Sequence, residues 1–266
     1  MQTLRRCITI ASPMTTQKPA GRFDLLISDV DGCLTTEDPL PLDLQRLAQV
    51  AQYNRLAFER GDQPPMTVCT GRPQPFAEVI CRLIHNISIP CVCENGVWLY
   101  HPGENTYHLD PSITLEHRRM IHEVEAWIIQ TFGPDGAAIQ PGKTAAISIT
   151  HERREYLRTI VPALETQVAG RAWALRVSMT LNYINLDLAH ISKRTGVKRL
   201  LETLDLPRDR VAGIGDTVGD LALAEQVGYF ACPANAEEVI KDRADYVSPL
   251  PEIAGVIDIL EHLAAT

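Results

Sequence analysis

Short runs of nearly unbroken apolar residues recur along the chain, separated by longer stretches in which apolar positions repeat three and four apart. Leu25-Leu26-Ile27 is the first run, residues 66–70 the second and residues 90–96 the third, ending in a turn. A short apolar run bounded by turn residues predicts a strand covered on both faces, as in a parallel sheet. Between the first two runs, Leu44, Leu47, Ala51 and Phe58 share one face of a helix over about 42–60. Between the second and third, Phe76, Val79, Ile80, Leu83 and Ile84 do the same behind Pro73, which is well placed to start a helix. Such alternation predicts a parallel sheet joined by right-handed crossovers.

From residue 97 the pattern changes. Val97–Tyr100 and Thr106–Leu109 read as hairpin strands around Pro102-Gly103. Ile113, Met120, Val124, Trp127 and Ile128 mark a helix over 112–131, a strand follows at 145–150, and a helix over 152–168 is expected to kink or end near Pro162. Residues 173–188 hold one or two further strands. Strand–helix alternation then returns: a helix through Val197, Leu200, Leu201 and Leu204, a strand at 210–215, short strands at 229–232 and 245–247, and a last amphipathic helix through Ile253, Val256, Ile257 and Leu260. The expected fold class is α/β: a Rossmann-like parallel-sheet core of residues 23–96 plus 187–266, an α+β cap of residues 97–186 inserted into it, and a disordered leader of residues 1–22. No internal repeat is present.

Composition narrows the field. The 266 residues are 45% hydrophobic and 22% charged with a net charge of −8, and no basic run offers itself to nucleic acid or an anionic membrane. No apolar stretch approaches the roughly 18 residues that span a bilayer. The seven cysteines are odd in number and several lie in strand-like runs, which predicts reduced core thiols in a cytoplasmic protein. Cys91 and Cys93 have no second Cys/His pair at zinc spacing.

The first strand stops in Asp29-Val30-Asp31-Gly32. Two carboxylates at the mouth of a buried strand repel each other and lose hydration, so a positive partner is required, most simply a hard cation such as Mg²⁺. Three further stretches fall where the ends of parallel strands collect reactive groups: Thr70-Gly71-Arg72, Ser192-Lys193, and the segment from Gly215-Asp216 to Gly219-Asp220. Together they supply what phosphoryl transfer requires: a nucleophile, an acid–base group, a metal cage and donors for phosphate oxygens. Other motifs fail on spacing. Gly142-Lys143-Thr144 lacks the upstream glycine of a phosphate-binding loop and precedes a strand pattern, and no Gly-x-Ser-x-Gly is present.

The four stretches, in this order, resemble the motif set of the haloacid dehalogenase superfamily of phosphatases. The insertion resembles the α/β cap of its Cof-type and sucrose-phosphatase-like branch. The resemblance implies that Asp29 is the nucleophile that forms an aspartyl phosphate, and that Asp31 protonates the leaving group and then activates water. It implies Mg²⁺ held by Asp29, the backbone carbonyl of Asp31 and Asp216, with Asp220 a further ligand or a support to the others. It also implies that Thr70 bonds a phosphate oxygen while Lys193 neutralises the phosphate and Asp29. Gly71, Arg72 and Asn95 are expected on core loops beside the substrate, and Lys143, His151 and Asn182 are the cap residues considered for contact. Two positions depart from the pattern: Cys33 where the family usually has Thr, and Gly219 where many members have Asn. The implied activity is Mg²⁺-dependent hydrolysis of a small-molecule phosphate ester, of the sugar phosphate or phosphoglycolate type, by a monomer or homodimer. A phosphomutase of phosphomannomutase type, a signalling receiver domain and a non-catalytic phosphate-binding regulator are the alternatives.

Overall fold

The structure, a computed structural model, describes residues 22–264. The expected leader therefore lies outside the described residues except for Arg22, whose carbonyl accepts a hydrogen bond from Arg210 Nη1 at 2.7 Å. β1 (Leu25–Ser28) leads through α1 (Leu44–Arg60) to β2 (Met66–Val68), and through α2 (Gln74–Leu83) to β3 (Cys91–Cys93). A hairpin, β4 (Trp98–His101) and β5 (Thr106–Leu109), precedes α3 (Leu115–Phe132), β6 (Ala138–Ile139), β7 (Ala146–Thr150), α4 (Arg154–Gly170), β8 (Leu175–Met179) and β9 (Ile184–Leu188). The chain closes with α5 (Lys193–Leu204), β10 (Val211–Ile214), α6 (Leu221–Ala224), β11 (Tyr229–Cys232), α7 (Glu238–Lys241), β12 (Tyr246–Val247) and α8 (Glu252–Ala264).

The five-stranded sheet has the order β12-β11-β10-β1-β2, and every pairing in it is parallel. β1 lies between β10 and β2, so its side chains meet a helical layer on either face. Leu26 packs with Leu47, Ile80 and Ile259 on one side, while Leu25 and Ile27 pack with Val197, Leu200 and Leu223 on the other. That double cover explains why the run is apolar throughout rather than alternating.

The inserted sheet, β6-β7-β9-β8, is antiparallel and covered on one face only. Ile147, Ile149, Ile184 and Leu186 pack against Ile121, Val124, Leu157 and Leu164 of α3 and α4. The intervening Ser148, Asn185 and Asp187 point by strand alternation to the opposite face, toward the core. α4 runs on through Pro162 to Gly170, so the helix does not end there. Pro162 lies on the exposed side of the helix, where the carbonyl it cannot pair with has access to water. The β4–β5 hairpin, grouped with the insertion by its pattern, pairs with β3 instead, and a bridge between Cys69 and Val92 joins β3 to the end of β2. The turn from β3 to β4 is too tight for anything else: Glu94, Asn95 and Gly96 all have positive φ, and a Cβ on Gly96 would lie 2.5 Å from the Ser192 carbonyl oxygen. Among the described residues no helix is long and apolar enough to cross a membrane.

Candidate active site

β1 and β10 are neighbours, and their carboxyl ends deliver Asp29 and the Asp216–Asp220 loop to one place. One carboxylate oxygen from each of Asp29, Asp216 and Asp220 lies within 4.8 Å of the others. Two metal–oxygen bonds of about 2.1 Å could span such a gap with little adjustment. Gly32 makes the approach possible: its φ is +76°, and a Cβ there would sit 1.9 Å from Asp216 Oδ2. Lys193, at the start of α5, donates to Asp29 Oδ2 at 2.7 Å and to Asp220 Oδ1 at 2.6 Å. α5 reaches this position because Gly96 and Gly196 pack face to face, with a Cβ on Gly196 falling 2.7 Å from the Gly96 Cα.

Three buried acids thus share one ammonium. Burial, then Asp220, pushes Asp29 up to about 7 against the pull of Lys193. Burial, then Asp29 and Asp220, pushes Asp216 up to about 9. Burial opposes the charge on Lys193, but Asp220 and Asp29 outweigh it and hold the ammonium well above its usual range. The remaining negative charge is costly without a further cation, and a set of hard carboxylate oxygens fits a hard divalent ion. Asp220 is the least available ligand: Oδ1 is taken by Lys193, and Oδ2 accepts from the Asp216 and Thr217 amides at 3.1 Å each. It binds its own loop into shape, and a Cβ on Gly219 beside it would meet Thr217 Oγ1 at an ordinary 3.5 Å. Cys33, at the first departure from the family pattern, is buried with its thiol aimed at Asp216 Oδ1, 3.7 Å away, so the side chain faces the acids.

The Asp31 carboxylate is not part of this cluster. Arg72 grips it with Nε at 2.8 and 3.0 Å and Nη2 at 2.6 Å, a two-pronged charge-assisted contact that fixes the carboxylate plane. Thr70 is fully buried beneath; its hydroxyl accepts from the Arg72 amide at 3.0 Å and keeps its own proton to donate. Gly71 leaves room for Asn95, whose Oδ1 would be 3.0 Å from a Cβ at that position. Asn95 Nδ2 reaches across to Asp187 of β9 at 3.4 Å.

Between these groups and the inserted sheet lies a cavity of about 560 Å³. Asp29, Asp31, Gly71, Arg72, Asn95 and Lys193 border it from the core, and Lys143 and Asn182 from the cap. His151 does not reach it: the ring stacks on Tyr156, with Nε2 2.9 Å from the Asp135 carbonyl. The cap is drawn down onto the loop after β1 by Arg154 on Asp38 and by Asn182, which donates to the Glu37 carbonyl at 3.0 Å.

The family model for haloacid dehalogenase-like hydrolases matches residues 140–260, which include β7 to β12 and the Lys193 and Asp216 motifs. That match covers somewhat under half of this chain. The chain is 24% identical over 237 residues to a phosphoglycolate phosphatase of Archaeoglobus fulgidus, a match covering 88% of this chain and 94% of that one. It is 39% identical to phosphoglycolate phosphatase 1 of Saccharolobus solfataricus, but over 71 residues only, 27% of this chain and 31% of that one. In fold it is similar to the sucrose-phosphatase of Synechocystis sp. PCC6803, solved with sucrose and phosphate, at a TM-score of 0.65 and 19% identity, covering 91% and 98% of the two chains.

Two buried acids, Asp187 lining the cavity and Glu94 outside its lining, are not among the residues the sequence nominates. Glu94 is buried, and its Oε1 accepts from the Thr144 and Ala145 amides at 2.6 and 2.7 Å, tying the core turn to the cap loop. Asp187, also buried, meets Arg176 at 3.5 Å. The signal for both was an acid inside an apolar strand pattern, Cys91-Val92-Cys93-Glu94 and Leu186-Asp187-Leu188.

Proposed function

We propose that this phosphoric monoester hydrolase is a Mg²⁺-dependent phosphatase that cleaves a small phosphorylated metabolite, of the phosphoglycolate or sugar phosphate type, through an aspartyl phosphate on Asp29. The observation that carries the reading is the placement of Asp29 between Lys193 and the Asp216 carboxylate, with Asp31 held by Arg72 beside the same cavity. Bound by Asp29, Asp216 and the Asp31 carbonyl, Mg²⁺ would lower the electrostatic cost of bringing a phosphate dianion to a carboxylate.

The residues divide the remaining work. Lys193 and the Val30 amide, which donates to Asp29 Oδ1 at 2.8 Å, orient the nucleophile. An Asp29 oxygen bonds to phosphorus as the ester P–O bond breaks, and the departing oxygen takes a proton from Asp31. Asp31, now a carboxylate, removes a proton from water; that water attacks phosphorus, and Asp29 leaves. Arg72 keeps Asp31 aligned through both halves. Thr70 donates its hydroxyl proton to a phosphate oxygen.

The cavity, roofed by the cap, suits a small ester better than a phosphoprotein, and the phosphoglycolate phosphatases aligned over nearly their whole length support the same class. A cytoplasmic location accords with the six cysteines of the described residues, all free and buried. Inorganic phosphate released from phosphoglycolate and from hexose phosphates, with Mg²⁺ and then with EDTA, tests the reading. Turnover with Mg²⁺ that EDTA abolishes is expected; no release from any phosphomonoester would overturn it.

A further inference from the structure

Five cationic side chains border the cavity, and the chain itself neutralises four of them. Asp31 holds Arg72, Asp29 and Asp220 hold Lys193, Asp187 pairs with Arg176 at 3.5 Å, and Glu225 pairs with Arg194. The fifth, Lys143, enters from the cap loop ahead of β7 and makes no ion pair among the described residues. Its ammonium donates to Ser148 Oγ at 2.6 Å, and that hydroxyl donates onward to Asn185 Oδ1. Both partners are neutral, and two of the three ammonium protons remain for something in the cavity. Burial draws the Lys143 charge below its usual range, with Asp187 and Glu94 acting the other way from beyond ion-pair distance.

The position of this ammonium is set. The two residues after it, Thr144 and Ala145, are clamped through their amides to Glu94, which belongs to the same turn as Asn95 and whose own amide donates to the Arg72 carbonyl at 2.9 Å. Lys143 therefore stands at a defined distance from the phosphate-binding loop, on the opposite wall from Asp29. A phosphate at Asp29 would meet the Thr70 hydroxyl, Lys193 and the divalent ion proposed between Asp29 and Asp216, all on the core wall. An unpaired cation across the cavity calls for a second anionic group on the same small molecule.

We propose that Lys143 is the specificity-determining residue of this cleft and that it binds a carboxylate carried by the leaving group of the phosphate ester. The proposal rests on the phosphatase reading above and narrows its substrate to phosphorylated hydroxy acids. Ser148 and Asn185 hold Lys143 toward that carboxylate.

The test compares 2-phosphoglycolate with 2-hydroxyethyl phosphate, an ester of similar size whose leaving group is uncharged, in the full chain and its K143M and K143R variants with Mg²⁺. The wild type is expected to favour phosphoglycolate. K143M should lose about tenfold or more in kcat/KM on phosphoglycolate, chiefly through KM, and change by no more than about twofold on 2-hydroxyethyl phosphate. K143R, which keeps the charge, should recover part of the loss and serves as the check on folding. Equal losses on both esters would make Lys143 a phosphate or structural residue and overturn the proposal. So would an unchanged K143M, or a wild type that prefers the uncharged ester, while the phosphatase reading stood. A wild type inert toward both esters would remove the phosphatase reading and this proposal with it.

Discussion

On the core wall of the cleft, Asp29 meets Lys193, Asp220 meets Lys193 and two backbone amides, and Asp31 meets both prongs of Arg72. On the cap wall, Ser148 and Asn185 are neutral, Asn182 spends its amide on a backbone carbonyl, and Lys143 has no acid within ion-pair distance among the described residues. Asp29, Asp31 and Arg72 follow the ends of β1 and β2, Asp220 lies in the loop after β10, and Lys193 heads α5. The cap groups occupy one face of an antiparallel sheet whose other face holds the helices. A group that must act on phosphorus in every cycle gains from being preorganised by its own chain. A group that must recognise one leaving group gains from being left unpaired until the ligand arrives. The contrast separates chemistry from selection, and each wall can be broken independently.

The largest effect belongs to the core wall. Asp29→Asn should lower hydrolysis of p-nitrophenyl phosphate by about 10³-fold or more while circular dichroism and the unfolding midpoint report an intact fold. Activity retained in that variant would take the nucleophile away from Asp29. Asp31→Asn should cost about 10²–10⁴-fold on an alkyl phosphate, the range for losing a general acid–base group. On p-nitrophenyl phosphate the loss should be smaller, because p-nitrophenolate departs without a proton. Equal losses on the two esters in the first half-reaction, read as the single-turnover burst of alcohol release, would mean that Asp31 does not deliver the proton to the leaving group.

The smallest expected effect tests the tie between the walls. Burial raises Glu94 from the ordinary 4.5 to about 7, the Ala145 and Thr144 amides only partly offsetting it. An acid whose folded value lies above its unfolded one favours folding in its protonated form. That contribution is complete below about 4.5 and is lost as the pH rises through about 7. In metal-free buffer the wild-type unfolding midpoint should therefore fall relative to Glu94→Gln between pH 5 and pH 8, with the two proteins converging at low pH. Asp29 and Asp216 titrate in both proteins, so the difference isolates Glu94. Parallel midpoint curves would show that Glu94 does not ionise in that window.

The motif acids were legible because each closes an apolar strand run, a place where charge is expensive and so informative. Asp29 and Asp216 could be paired from sequence only through the resemblance of the whole motif set; nothing local announces that β1 and β10 are neighbours. The grip of Arg72 on Asp31 was not legible, since the two lie 41 positions apart and either would be an ordinary loop residue alone. The place of His151 at a strand end makes it a candidate for the cleft, yet its ring is taken by Tyr156 and the Asp135 carbonyl. Glu94 and Asp187 interrupt apolar strand patterns, which marks each as an acid in a buried run without saying what it meets.

The residue pattern by itself determined that this protein has a buried parallel sheet, an interrupting unit of different periodicity, and carboxylates in the first and fourth motif stretches, each just past a strand end. These are properties of a segment and its own repeat, and burial enforces them locally. Which charge neutralises which, which cation is left over, and which wall of the cleft each side chain joins were decided only by the tertiary structure. Coulombic pairing falls off with distance through space, and the fold sets that distance between residues that the chain keeps far apart.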